Sequence, residues 1–437
     1  MGPCNSRAYN KTAGPVKGLG LAEATVVRYA GGLTRFTKPE DTMFETAIAR
    51  SGEPGLCPER SASLLRVLQA EIDSKRLPGA VVVVGRHGKL ALFENLGQQD
   101  PQAGIAMSRD AIFRMYSMTK PIVSVAAMML MEQGRFLLSD PVAHYLPEFA
   151  NQQVAVERNG QISLQPVVRP ATVQDLMRHT AGLTYEFSGT SAVQRQYYEQ
   201  QINIRQDGRD NAAFSQALAA IPLMYQPGSV GEYSRATDIL GRLVEVWSGQ
   251  TLGRFLAEKI FVPLGMVDSG FFVPPAQHGR IAEPFGHDPD GGVLMKMSDI
   301  RNPPAMESGG GGLASTARDY ARFLQCLLNK GQLEGVRLLG PHTVDFMTAD
   351  HLGQIPARDS LLEPGEGFGL GFAVRTATGL TPVPGSVSSF YWSGMAGTSF
   401  FVDPAQDLFA IMLIQAPNQR AYYRQLFRNL VYAALVD

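Results

Sequence analysis

Cysteine is scarce in this chain. Cys4, Cys57 and Cys326 are the only three among 437 residues, too few and too scattered for a disulfide framework or a thiolate metal cluster, and an odd number suits free thiols in a reducing compartment. An excess of charge is missing too. Lys and Arg number 39 against 40 Asp and Glu, a formal charge of −1, so there is no basic field for a polyanion, and neither nucleic acid nor a charged membrane is expected as partner. Apolar runs all fall short of the roughly 20 residues that span a bilayer. Residues 1–32 mix Lys11, Lys17, Glu23 and Arg28 among glycines with no continuous apolar stretch of the secretory kind, so a cytoplasmic protein is expected. Met1-Gly2-Pro3-Cys4-Asn5-Ser6 fits a short acylation pattern, but no second anchor follows it. The seven histidines show neither His-Glu-x-x-His nor close ligand spacing, so no metal or other cofactor is expected. The elbow Gly-x-Ser-x-Gly is absent as well, which disfavours a triad of the α/β-hydrolase type.

What the chain has is apolar mass. Hydrophobic residues make up 45% and charged residues 18%, below the usual ~25%, which fits a compact protein with a large core. At roughly 150 residues per domain, the length suits two or three domains or one large body with an insertion.

Residues 1–60, rich in Gly and Pro, read as an extension packed on the body. In 61–76, Leu64, Leu65, Leu68 and Ile72 recur at helical spacing before Pro78-Gly79. Runs at 80–85 and 90–93 flank Arg86-His87-Gly88-Lys89 and suit a β-hairpin. Residues 115–131 form an apolar helix. From 141 to 300, helical segments such as 236–248 are joined by Pro/Gly loops and read as a helical domain. After 300 come a helix at 316–329, strands at 369–374, 398–402 and 408–414, and a last helix at 420–434. Residues 61–140 and 301–437 then form one α/β domain, an antiparallel sheet flanked by helices and closed by N- and C-terminal segments.

Chemistry enters at Ser117-Met118-Thr119-Lys120. On a helix, positions i and i+3 share a face, so the Ser117 hydroxyl and the Lys120 amine can approach each other. Of nine lysines, only Lys120 has a serine three residues before it. A lysine with an ordinary pKa of about 10.4 is no base at neutral pH, but burial disfavours its charge, and a three-unit shift costs about 4 kcal/mol, which desolvation can supply. The plainer alternative is a serine near a helix start beside a lysine that snorkels to the surface.

With this motif the chain resembles the serine β-lactamase and penicillin-binding protein superfamily, and looks most like the family VIII carboxylesterases with a class C β-lactamase fold. Ser117 and Lys120 match Ser-x-x-Lys. Tyr233, after Pro227-Gly228, matches the second motif, and Trp392-Ser393-Gly394 the third; Leu176-Met177-Arg178-His179-Thr180-Ala181-Gly182-Leu183 and Gly309 to Leu313 also fit. The resemblance covers residues 60 to 435. It implies that Ser117 attacks an acyl carbon while Lys120 and Tyr233, titrating as a pair, take and return the proton. It also implies an oxyanion hole from the backbone N–H groups of Ser117 and Met395, with Trp392, Ser393 and Gly394 contacting substrate. A cationic Lys120 is expected to lower the phenol pKa of Tyr233.

Two departures bear on substrate. β-lactamases and penicillin-binding proteins carry Lys or His where this chain has Trp392, and Tyr-x-Asn where it has Tyr233-Ser234-Arg235. An indole offers apolar area and one N–H, which suits an uncharged group better than a carboxylate. The expected function is therefore a serine carboxylesterase for small uncharged esters, with weak β-lactam cleavage as a side activity. The alternatives are an acyltransferase, a β-lactamase or D-amino-acid peptidase on the same fold, and a non-catalytic sensor that acylates and stops. Gly309 to Ala314 fits Gly-x-Gly-x-x-Ala but follows Asn302-Pro303-Pro304 instead of a strand, so it reads as a loop beside the cleft. His179 reads as a helix C-terminal residue whose imidazole meets free carbonyls.

Overall fold

The computed structural model describes residues 26–29, 32–35, 55–158, 161–202, 208–358 and 362–436. Residues 1–40 and 41–437 are separate compact units. The described part of the first is a hairpin, Val26–Tyr29 against Gly32–Arg35. The expected packing of residues 1–60 on the body falls largely outside the described residues.

In chain order, the elements that build the second unit are α1 (Pro58–Asp73), β1 (Gly79–Arg86), β2 (Lys89–Asp100), β3 (Ile105–Ala106), α2 (Thr119–Glu132) and α3 (Ala236–Ser248). They continue with α4 (Ala317–Leu328), β4 (Glu366–Phe368), β5 (Ala373–Arg375), β6 (Phe390–Ser393), β7 (Ser399–Asp403), β8 (Leu408–Leu413) and α5 (Arg420–Ala434). Eight strands form one antiparallel sheet in the order β4-β5-β6-β7-β8-β1-β2-β3. The C-terminal strands therefore join the N-terminal hairpin along the β8–β1 seam, where Met412 pairs with Val82 and Leu408 with Arg86.

Every residue of β1 is buried, and the reason is cover on both faces, which favours a continuous apolar run over alternation. One face packs Val82, Val84, Ala410 and Met412 against Leu64 and Leu68 of α1 and Phe427 and Val431 of α5; each such leucine is worth roughly 1.5–3 kcal/mol in buried area. α4 packs on β8 and β1 from the other side. His87 and Gly88, with φ of 51° and 70°, make the two-residue turn whose twist matches the strands it joins.

Helix α1 begins at Pro58, earlier than the periodicity indicates, because Pro58 at the first helical position and Glu59 in the first turn start it. The expected single strand at 369–374 is two short ones, β4 and β5. Gly371 bends the chain between them at φ 100°, where a Cβ would lie 2.3 Å from the Ser124 hydroxyl. Between 141 and 300 the helices are joined by a hairpin, Gln153–Arg158 with Gln161–Pro166. Among the described residues no helix is long and apolar enough to cross a membrane.

Candidate active site

Ser117 sits where a strand turns abruptly into a helix. Phe113–Arg114 pairs with Ala314–Ser315, the Met115 N–H donates to Leu313 O at 2.9 Å, and a single 3-10 turn, Tyr116–Met118, leads into α2. Tyr116 has φ +46°, a left-handed conformation that is costly for an aromatic residue and persists only when its surroundings hold it. One such hold is its hydroxyl, which accepts from the Ser298 N–H at 2.8 Å. The elbow puts Ser117 in the cleft, while nearly all of α2 behind it is buried.

Lys120, 1% exposed, lies one turn further along. Its Nζ donates to Gly310 O at 2.7 Å, to the Tyr185 hydroxyl at 3.0 Å and to Ser117 Oγ at 3.3 Å. The Tyr233 hydroxyl is 2.6 Å from Ser117 Oγ, and Lys120 Nζ stands 4.5 Å from the Tyr233 ring centroid. Lys120 thus points inward instead of snorkelling, and three residues spread over 117 positions meet at one oxygen. The expected lowering of the Tyr233 phenol does not occur. Burial outweighs the hydrogen bond with Ser117 and pushes Tyr233 up to about 12. Burial likewise raises Tyr185 well above its ordinary value, so both phenols are neutral at neutral pH.

A second tier fixes these groups. Asp238, on α3, accepts from Ser308 Oγ at 2.6 Å and from the Gly310 N–H at 2.9 Å, and so presents the Gly310 carbonyl to Lys120. Gly310 lies in the glycine-rich loop, whose place beside the cleft agrees with the sequence reading. Arg235, two residues after Tyr233, is buried, lies 4.7 Å from the Tyr185 ring centroid and pairs with Glu186 at 2.7 Å. Burial pulls its guanidinium down, but Glu186 and Asp238 outweigh that and hold it above the ordinary value. His179 follows a helix end, as expected, with φ +59°. Its Nδ1, however, is 3.1 Å from Ser234 Oγ, because the Tyr233 loop folds over that helix end and its hydroxyl takes the place of a carbonyl. Burial and then the charge of Lys120 hold His179 well below 6.5.

The third motif approaches along β6. Trp392 is 7% exposed and meets the Tyr233 ring edge-on at 5.4 Å. At Gly394 the strand passes so near the elbow that a Cβ would lie 2.2 Å from Met115 O and 2.3 Å from Thr398 Oγ1. Thr398 Oγ1 in turn donates to Met115 O at 3.2 Å. This close approach brings the turn of Met395 beside Ser117. Ser117, Trp392, Ser393, Gly394 and Met395 all line one cleft of about 1610 Å³.

The beta-lactamase family profile matches residues 64–434. The chain belongs to the beta-lactamase family. It is 33% identical over 381 residues to the esterase EstB of Burkholderia gladioli, covering 81% of this chain and 91% of EstB. It is also 29% identical over 395 residues to the lovastatin esterase of Penicillium rubens, covering 83% and 96%. Among solved structures it resembles EstCE1, a hydrolase with promiscuous acyltransferase activity, with a TM-score of 0.72 and 26% identity over 85% of this chain and 98% of that one. The fold is therefore beta-lactamase-like and the protein is a hydrolase of that family.

Sequence reasoning missed Tyr185 and Asp238. Tyr185 stands two residues beyond the quoted landmark that ends at Leu183, and Asp238 five after Tyr233. Neither spacing has a signature of its own, because Tyr185 meets Lys120 directly across the fold and Asp238 acts through Gly310.

Proposed function

We propose that this protein is a serine carboxylesterase that hydrolyses small, short-chain esters through an acyl-enzyme on Ser117. The carrying observation is the convergence of Lys120 Nζ and the Tyr233 hydroxyl on Ser117 Oγ inside an open cleft. In this reading Ser117 Oγ bonds to the ester carbonyl carbon and its proton passes to the Lys120–Tyr233 pair. The carbonyl oxygen, now negative, is held by the N–H groups of Ser117 and Met395. The alkoxide leaves with the proton returned, and water repeats the sequence to release the acid and free Ser117. Gly310 O can only accept, so one Lys120 hydrogen is fixed away from Ser117. That constraint aims the remaining coordination of Nζ at Ser117 and Tyr185.

The names of EstB and the lovastatin esterase support ester chemistry. Trp392 at the third motif supports weak β-lactam cleavage at most. The test is hydrolysis of p-nitrophenyl acetate, butyrate and octanoate beside nitrocefin. Ester turnover faster than nitrocefin turnover, lost in Ser117→Ala, is the expected outcome; dominant nitrocefin turnover overturns it. A second reading, transfer of the acyl group to an alcohol, is favoured by the roomy cleft and by the promiscuity named for EstCE1. A butyl ester formed from p-nitrophenyl butyrate in added butanol would separate transfer from hydrolysis.

A further inference from the structure

Residues 283–301 form a strap beside the cleft that is tied down in two places. At one, Asp288 accepts from the side-chain amides of Asn418 and Gln419, both at 2.6 Å, and Asn418 Nδ2 also donates to Val293 O at 3.1 Å, which holds the strap to the chain just before α5. At the other, Ser298 is gripped by the elbow that carries Ser117. Arg114 Nε donates to Ser298 O at 2.6 Å, and the Ser298 N–H donates to the Tyr116 hydroxyl at 2.8 Å. Both elbow side chains are 4% exposed. Arg114 is itself fixed, by Ala282 O at 2.9 Å and by Glu283 at 3.0 Å. Both main-chain polar groups of one strap residue are thus bound by side chains that stand three residues and one residue before the nucleophile.

The elbow is held on either side of Tyr116 by other elements: Thr398 Oγ1 donates to Met115 O at 3.2 Å, and the Tyr320 hydroxyl of α4 to Met118 O at 2.9 Å. Tyr116 between them has φ +46°, so a loosened side chain lets its backbone relax toward the ordinary regions, and Ser117 is the next residue to move. The Ser298 contact therefore bears on where Ser117 Oγ points. What the strap shows to the cleft is apolar and polarisable. Met295 and Met297, both half-buried, line it together with Met306 and Phe271. Met297 Sδ lies 3.9 Å from the Tyr116 hydroxyl, so a ligand that displaces this thioether acts directly on the Tyr116–Ser298 contact. Methionine yields easily to such pressure, whereas a hydrogen bond weakens steeply once its geometry is disturbed.

We infer that Tyr116 is a positioning residue that couples the strap to Ser117, so that the length of a substrate's apolar arm against Met297 is read in turnover and not in binding. This rests on the serine-esterase reading and deepens it, because it supplies a physical reason for preferring short chains. A long arm displaces Met297, draws the Ser298 N–H off the Tyr116 hydroxyl and lets Ser117 turn away from Tyr233 and from the Met395 turn. A short arm leaves the contact intact and the nucleophile aligned.

The test uses two ester series, p-nitrophenyl acetate to octanoate for the acyl side and methyl to octyl acetate for the alcohol side. In the wild type, kcat is expected to fall about tenfold or more from the short to the long member of at least one series, with no rise in KM. Tyr116→Phe removes one hydroxyl while Arg114 still grips Ser298 O, so the strap stays seated. It is expected to lower kcat for the shortest ester about tenfold, to leave KM within about twofold and to flatten the dependence on length. Met297→Ala makes room beside Tyr116 and should raise kcat for the long member relative to the short one. A Tyr116→Phe variant whose kcat stays within about twofold of the wild type, falls equally at every length, or is impaired through KM would refute the coupling. Phosphonylation of Ser117 by methyl and octyl fluorophosphonates, with loss of fluoride and read by intact mass, reports the same positioning without ester turnover. A methyl probe slowed in Tyr116→Phe, with the octyl probe no longer slower than the methyl one, supports the coupling even if no ester is cleaved, in which case the esterase reading alone fails. Ester turnover with equal phosphonylation rates in wild type and variant rejects the coupling and leaves the esterase reading standing.

Discussion

In the proposed mechanism Ser117, Lys120 and Tyr233 share the chemistry, and their separate deletion tests it. Ser117→Ala, Lys120→Ala and Tyr233→Phe are each expected to lower kcat for p-nitrophenyl butyrate by about three orders of magnitude or more, with far-ultraviolet circular dichroism unchanged. Tyr185→Phe removes only an acceptor for Lys120 that lies 3.0 Å away. It should cost about ten- to a hundredfold in kcat, because Lys120 Nζ loses a partner that holds it beside Ser117 Oγ. An unchanged kcat would make Tyr185 a packing residue. Ser117, Lys120 and Tyr233 were legible in the sequence because their motifs are local. Tyr185 and Asp238 were not, since each reaches the site only through tertiary placement: one by direct contact with Lys120, the other through Gly310.

The elements that carry the site owe their positions to a few close approaches. One is at Gly394, where any Cβ meets Met115 O at 2.2 Å, and relief requires β6 to move away from the elbow that carries Ser117. Gly394→Ala is therefore expected to reduce kcat by about 10²-fold, the usual scale for one displaced oxyanion donor, while Gly379→Ala, at an exposed turn with open space around it, leaves kcat unchanged. Comparable kcat in both variants would show that the Met395 turn is not positioned by this contact. Periodicity located α3 and α5 without error and β8 to within one residue, because each has a long apolar stripe or run. It blurred the β4–β5 region into one strand, since the bend at Gly371 is set by Ser124 of α2, a contact that no local pattern encodes. The single 3-10 turn before α2 was read as helix for the same reason: Ser117 and Lys120 keep helical proximity in either geometry.

At the scale of the molecule, the sheet joins chain segments more than 300 residues apart along β8 and β1, so the cleft and the core rise or fall together. One buried group makes that stability depend on pH. Asp319, at the start of α4, accepts from the Asp268 N–H at 2.8 Å and from Ser269 Oγ at 2.8 Å. Burial, with Asp268 adding to it, raises its carboxyl to about 7. Since this lies above the ordinary value of 3.8, the protonated acid favours the fold. Its contribution is full below about pH 4 and is lost as pH rises through about 7, by up to about 4 kcal/mol. Asp319→Asn keeps an acceptor and removes the titration, so in urea the wild type should lose stability between about pH 4 and 7 relative to the variant; parallel pH dependences would contradict the assignment. The fold class was legible from the order of runs and motifs, but the two-sided cover of β1 is a property of packing. The most direct test of the central claim is intact-mass spectrometry during turnover of p-nitrophenyl butyrate, followed by peptide mapping. A transient gain of one butyryl group on the peptide containing Ser117, absent in Ser117→Ala together with turnover, is the predicted result. Steady turnover that persists in Ser117→Ala, or an adduct on any other residue, would contradict it.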